Sequence, residues 1–287
     1  MHVDVNGARL WFDVDGSALV PDGSEMRQRP TVVLVHGGPG VWDHSYFKPD
    51  FAPLTEHAQV VYLDLRGHGR SGWGDPAAWS FEACADDIRG FCDTIGVARP
   101  VVFGHSMGGP IVLLYGARHP GHAGGLIVQS GFARFDIPRL VEGFRRVAGD
   151  EVAEIAARSF RGEKVPDEEW HRVSAAFGPH VPDEEQGARP RENLELNSPG
   201  MDVVRRTDIV DRLGAITSPT LIAMGELDPV TPVGAAQEIV NALPADVAQL
   251  EVISGAGHWA WKDAPERFWP MVVGFIHSAS RREPIGA

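Results

Sequence analysis

The sequence predicts an α/β fold, with a mostly parallel central sheet flanked by helices and one inserted helical segment. Three observations predict it. Short apolar, β-branched runs recur along the chain, notably Thr31–Val35, Val60–Leu63, Val101–Phe103, Leu126–Val128 and Thr220–Met224, as expected for parallel strands buried on both faces. Helix-like stretches separate them, and alternation of this kind implies a sheet wrapped by helices. Between Phe132 and Leu213 the alternation stops, and amphipathic, charge-rich segments follow with no strand-like run.

Taken in order, Leu10–Val14 reads as a short strand, followed by a Gly/Pro/Ser-rich loop to Pro30. Buried strands at 31–35 and 59–64 end in His36-Gly37-Gly38-Pro39-Gly40 and in Arg66-Gly67-His68-Gly69-Arg70-Ser71. A helix is predicted from Ser80 to Ile95, with Ser80 at its start and Gly96 as its stop. The run from Val101 then turns at Gly104-His105-Ser106-Met107-Gly108 into a helix reaching His119. Within the inserted segment, helices are expected over 138–144, over 151–156 with Asp150 as N-cap, and from Pro166 onward. The polar stretch 178–200 reads as loop. Strands at 220–224 and 250–253 and helices at 234–243 and 265–278 complete the chain. The domain reading is therefore a core of residues 1–131 and 214–287 with a helical cap at 132–213.

Composition narrows the function. At 287 residues and 43% hydrophobic content the chain can bury a large core. A formal charge of −13 argues against nucleic acid, whose phosphates it would repel. The two cysteines, Cys84 and Cys92, fall on one predicted helix about 12 Å apart along its axis. That is too far for a disulfide, so free thiols and a reducing, cytoplasmic setting are expected. The first residues lack signal-peptide character, and no apolar run approaches the ~20 residues needed to span a bilayer. The expected partner is a small-molecule or short peptide substrate, with no membrane and no nucleic acid. Monomer and dimer both remain open.

The chemistry sits where strands end. Gly104-x-Ser106-x-Gly108 has the spacing of a nucleophile elbow, a strand-to-helix turn that holds the serine hydroxyl out above the sheet. Later strand ends supply Asp228, in Gly225-Glu226-Leu227-Asp228, and His258, in Gly255-Ala256-Gly257-His258. A serine hydroxyl needs a neighbouring base, here His258, and an imidazole base needs an acid to orient it, here Asp228 with Asp136 in reserve. Backbone N–H groups of Gly38 and Met107 are the candidate oxyanion donors, and Gly37 lets the loop approach the substrate closely. Trp42, Phe132 and Trp259 are candidate apolar lining. His36, His68 and His105 read as structural hydrogen-bonding residues, and Arg66 and Arg70 as loop braces. No metal-ligand spacing occurs, so no metal and no cofactor are expected.

These motifs, in this order, resemble the α/β-hydrolase superfamily over nearly the whole chain. The resemblance implies the α/β-hydrolase fold, a Ser106–Asp228–His258 triad and acyl-enzyme chemistry. Intact His36-Gly37-Gly38-Pro39-Gly40 is similar to the oxyanion loop of the prolyl aminopeptidase branch, whose cap glutamates bind the substrate ammonium group. Glu195 lies where one such glutamate is expected. That branch tends to carry Gly-Gly-Ser-Trp at the elbow, whereas Gly104-His105-Ser106-Met107 looks more like esterases, lactonases and carbon–carbon bond hydrolases. The expected activity is thus hydrolysis of a small amide, peptide or ester in the manner of a proline iminopeptidase. A carboxylesterase or lactonase is the alternative, followed by a receptor-like binding fold. A perhydrolase side activity is a further expectation from Ser106-Met107-Gly108-Gly109.

Overall fold

The apolar runs form the inner strands of one eight-stranded sheet. The computed structural model describes residues 1–48, 50–179 and 189–281. Its strands are β1 (His2–Val5), β2 (Ala8–Asp15), β3 (Leu19–Asp22), β4 (Glu25–Gln28), β5 (Thr31–Val35), β6 (Gln59–Asp64), β7 (Val101–His105), β8 (Gly125–Gln129), β9 (Thr220–Gly225) and β10 (Ala248–Ile253). The sheet order is β1-β2-β6-β5-β7-β8-β9-β10. The β1–β2 and β2–β6 pairs are antiparallel, and the pairs from β6 to β10 are parallel.

Alternation along these strands divides the core between two faces. Val33, Val35, Val61, Leu63 and Val102 pack on one side with α1 (Phe81–Ile95) and α2 (Gly108–Arg118). Val32, Leu34, Val60, Tyr62, Val101 and Phe103 pack on the other, against Phe268, Val272 and Ile276 near the C-terminus. Ser80 caps α1 by accepting from the Ala83 N–H, and Gly96 ends it with φ 74°. Both cysteines are buried and unpaired.

From β5 the chain moves to β6 on one side and then returns to β7 on the other. The order therefore reverses between β5 and β7, and ligand sites in open α/β sheets form beyond the carboxyl ends of strands at such a point. The loops after β5 and β7 carry Gly37–Gly40 and Ser106.

Between β8 and β9 the described residues contain α3 (Ile137–Phe160), α4 (Asp167–Ala175) and α5 (Leu194–Arg206), with their own apolar cluster of Leu140, Phe144, Val152, Ile155 and Val173. This segment lies across the carboxyl edge of the sheet. The Asn193 N–H donates to Gly40 O at 2.7 Å, the Asn193 amide to Gly67 O at 2.9 Å and the Asn197 amide to Pro39 O at 3.0 Å. The chain then closes with α6 (Val233–Ala242), the short α7 (Ala260–Asp263) and α8 (Pro265–Arg281).

Three local expectations need correction. The loop before Pro30 contains the exposed hairpin β3–β4, and the chain begins with a strand, β1, that polar residues disguise. Residues 138–144 and 151–156 do form two helical stretches within α3, as the sequence predicts, divided at Gly149, whose φ of 84° and ψ of 174° are not helical. Asp150 does not cap its second half; its carboxylate accepts instead from Arg145 Nε at 2.7 Å. Finally, within the expected loop 178–200, residues from Leu194 onward are helical despite Pro199. Tertiary packing outweighs the proline there, because Leu196, Gly200 and Val204 bury one face of α5. Residues 180–188 of that stretch lie outside the described residues.

Candidate active site

Ser106 occupies the turn from β7 into α2 with φ 53°, a left-handed conformation that costs a non-glycine residue energy. Its neighbours permit the strain. A Cβ on Gly104 would run into the Gly108 carbonyl, and one on Gly108 into the Val35 carbonyl. The turn is pinned by the Ser106 N–H donating to Gln129 O at 3.0 Å and the Gly109 N–H donating to Ser106 O at 2.9 Å.

Asp228 and His258 come from the loops after β9 and β10. The Asp228 carboxylate is fully buried and saturated: Oδ2 accepts from His258 Nδ1 at 2.8 Å and from the Thr231 hydroxyl at 2.7 Å. Oδ1 accepts the backbone N–H groups of Val230 at 2.9 Å and Thr231 at 3.0 Å. Burial pushes this carboxyl up, but attraction to His258 and the hydrogen bonds outweigh it and hold it below the usual carboxylate range. An ionised Asp228 fixes the proton on Nδ1, so Nε2 of His258 is left as an acceptor.

The His258 backbone is held on both sides. Its N–H donates to Phe177 O at 2.7 Å, and its carbonyl accepts from His105 Nε2 at 3.1 Å and Gln129 Nε2 at 3.3 Å. The His105 and His258 rings lie 4.8 Å apart. His105 directly precedes Ser106, so the β7 and β10 loops are tied side by side.

The loop after β5 meets the elbow. A Cβ on Gly37 would sit 3.3 Å from Ser106 Cβ, and one on Gly38, where φ is 144°, would sit 3.4 Å from Met107 Cε. Gly37, Gly38, Ser106 and Met107 are thus brought together. Two buried side chains hold this loop. The Gly37 N–H donates to Tyr46 Oη at 2.9 Å, and the Gly40 N–H donates to His68 Nε2 at 3.0 Å. His68 Nδ1 then carries the proton and donates to Arg66 O at 2.9 Å. Burial, aided by repulsion from His36, lowers the His68 pKa to about 3, so the ring is neutral.

The remaining candidates divide. Trp259 is buried, and its ring stacks on Phe177 5.8 Å away beside His258. Phe132 is buried and packs edge-on to Phe135. Half-buried Trp42 packs edge-on to Tyr46 at 5.4 Å. Glu195 is exposed in the first turn of α5, next to the buried Leu196. Asp136 does not act as a reserve acid, because its carboxylate caps α3 by accepting from the Arg139 N–H at 3.0 Å. Arg66 pairs with Asp87 through two bonds of 2.6 Å, as a brace should.

Asp43, His44 and Asp64 place ligand-type atoms within 4.8 Å of one another. Their oxygens are already occupied. Asp64 accepts from the His44 N–H, His44 Nδ1 and the Arg70 N–H, and Asp43 accepts from the N–H groups of Ser45 and Arg191. The cluster braces loops. Among the described residues, no helix is long and apolar enough to cross a membrane.

Tyr46, Gln129, Thr231 and Phe177 were not singled out from sequence as site residues. None carries a local glycine signature, and each acts through a contact made only by folding.

A model of the alpha/beta hydrolase fold family matches residues 30–265. Among curated relatives, a 2-hydroxy-6-oxononadienedioate/2-hydroxy-6-oxononatrienedioate hydrolase of Dechloromonas aromatica is 27% identical over 264 residues, covering 86% of each chain. A proline iminopeptidase of Thermoplasma volcanium is 26% identical, covering 83% of this chain and 86% of its own. Among solved structures, a thermophilic esterase from Thermogutta terrifontis superposes with a TM-score of 0.69 at 25% identity, covering 97% of this chain and 99% of the esterase.

Proposed function

The chain belongs to the alpha/beta hydrolase fold family, and on that premise we propose that it is a serine hydrolase working through an acyl-enzyme on a small, neutral ester or lactone. The observation that carries this reading is the buried Asp228–His258 pair, tied through His105 to the strained Ser106 elbow. With Nδ1 bound to Asp228, His258 Nε2 takes the proton from Ser106 Oγ as that oxygen attacks the substrate carbonyl carbon. The carbonyl electron pair moves onto oxygen, and the N–H groups of Gly38 and Met107 stabilise it by roughly 3 kcal/mol each. The oxyanion collapses, the bond to the leaving group breaks, and His258 protonates the departing oxygen. Water, deprotonated by the same imidazole, then releases the acid and restores Ser106. The segment over the sheet edge acts as a lid that excludes bulk water.

Ester or lactone is preferred to peptide because an α-ammonium group needs a facing carboxylate. Glu195 is exposed, and among the described residues the carboxylates of Asp43, Asp64, Asp136 and Asp228 are engaged. Asp183, Glu184 and Glu185 lie outside the described residues. Proline iminopeptidase activity is the second reading, supported by His36-Gly37-Gly38-Pro39-Gly40 and the relative of that name.

The test compares p-nitrophenyl butyrate with proline β-naphthylamide, using Ser106→Ala as control. Turnover of the ester, absent in the variant, is expected. Dominant turnover of the prolyl amide shifts the reading to the aminopeptidase, and a fully active Ser106→Ala overturns both.

A further inference from the structure

Beneath the elbow, a line of buried hydrogen bonds joins the oxyanion loop to the base. The Gly37 N–H donates to Tyr46 Oη at 2.9 Å, Tyr46 Oη lies 2.8 Å from His105 Nδ1, and His105 Nε2 lies 3.1 Å from the His258 carbonyl. The directions follow from the end groups. A backbone carbonyl only accepts, so His105 carries its proton on Nε2 and leaves Nδ1 as the acceptor for the Tyr46 hydroxyl. That hydroxyl oxygen is then open to the Gly37 N–H. Each donor in the line has one acceptor, and the arrangement holds only while the ring is neutral. Burial keeps it so, holding His105 well below the ordinary imidazole range and Tyr46 well above the ordinary phenol range.

We infer that Tyr46 and His105 are positioning residues that set the oxyanion loop and the His258 backbone in one register. The inference rests on the serine hydrolase reading. Neither side chain is assigned a proton in the reaction itself. Packing makes the line stiff: Trp261 meets the His105 ring edge-on at 4.8 Å, and Phe47 stacks on Tyr46 at 4.4 Å. Removing the Tyr46 hydroxyl leaves the Gly37 N–H without its acceptor and His105 Nδ1 without its donor, so both ends loosen together. Gly37 precedes Gly38, whose N–H faces the developing oxyanion in the proposed mechanism. The loss should therefore fall on the transition state rather than on substrate binding.

The experiment measures Tyr46→Phe, His105→Asn and the double variant with a matched oxoester and thionoester, alongside thermal midpoints. Asparagine keeps an acceptor near Tyr46 but falls short of the His258 carbonyl. Wild type is first labelled with a fluorophosphonate, with Ser106→Ala as the control. Tyr46→Phe is expected to lower kcat about 10- to 100-fold with KM within about twofold. The oxoester-to-thionoester ratio should fall as well, because an intact oxyanion site favours oxygen over the larger, weaker-accepting sulfur. The double variant should be no more than about threefold slower than the slower single, as for two parts of one device. A labelled, active wild type whose Tyr46→Phe variant keeps both kcat and the ratio overturns this inference alone, as do multiplicative losses in the double variant. A wild type that is neither labelled nor active overturns the serine hydrolase reading along with it.

Discussion

At the residue scale, the Asp228 carboxylate makes four contacts, and only one of them goes to His258. The other three aim it, so the change Asp228→Asn should leave the loop intact while presenting an amide to Nδ1. His258 is then free to adopt the wrong tautomer, and kcat for ester hydrolysis should fall about 10³- to 10⁴-fold with little change in thermal midpoint. Steady-state kinetics beside a melting curve check this. His68 makes a prediction about pH. Its ring titrates at about 3 in the folded protein, against an ordinary value of 6.5. Below pH 6.5 the unfolded chain therefore takes up a proton that the folded chain refuses, and stability falls as pH falls. The stability linked to His68 is complete above pH 6.5, declines below it, and is gone once pH passes the folded value. Between pH 7 and pH 5 the loss is about 2 kcal/mol from this ring alone. Denaturant unfolding at the two pH values should show it, and His68→Gln should show a correspondingly shallower dependence. An unchanged slope in that variant would refute the assignment.

At the element scale, the β7–α2 turn was legible because steric necessity writes glycine at fixed offsets from the serine. Gly104→Ala should destabilise the fold by about 3 kcal/mol, since the new methyl meets the Gly108 backbone rather than a yielding side chain. Urea unfolding measures this, and a loss under about 1 kcal/mol would mean that the elbow relaxes easily. The inner strands were equally legible, because burial on both faces demands unbroken apolar runs. Elements held mainly by partners elsewhere were not. The β3–β4 hairpin is largely exposed, and its Glu25–Gln28 strand carries no alternation. Helix α5 contains Pro199 and a polar outer face, and it forms because Gly200 packs on Pro39 and Leu196 against Gly67. Those contacts span more than a hundred residues, and no local window contains them.

At the scale of the whole molecule, His258 belongs to two bodies at once. The core holds its side chain through Asp228 and its carbonyl through His105 and Gln129, while the overlying segment holds its N–H through the carbonyl of Phe177. The same segment grips the oxyanion loop through Asn193 and Asn197. Seating of that segment and alignment of the two halves of the site are therefore one event. The seam beside the base is tight: a Cβ on Gly178 would lie 2.8 Å from the Gly257 Cα and 3.3 Å from the His258 nitrogen. Gly178→Ala should push the segment off the base without opening the sheet, whose cores lie elsewhere. Ester kcat is then expected to drop about 10- to 100-fold while the thermal midpoint stays within a few degrees, since misplacement of about 1 Å costs that much in rate. Kinetics and calorimetry on the same preparation separate the outcomes. A matched loss of stability and activity would make Gly178 an ordinary packing residue. Full activity would mean that the base holds its position without the Phe177 carbonyl, and that the core alone aligns it.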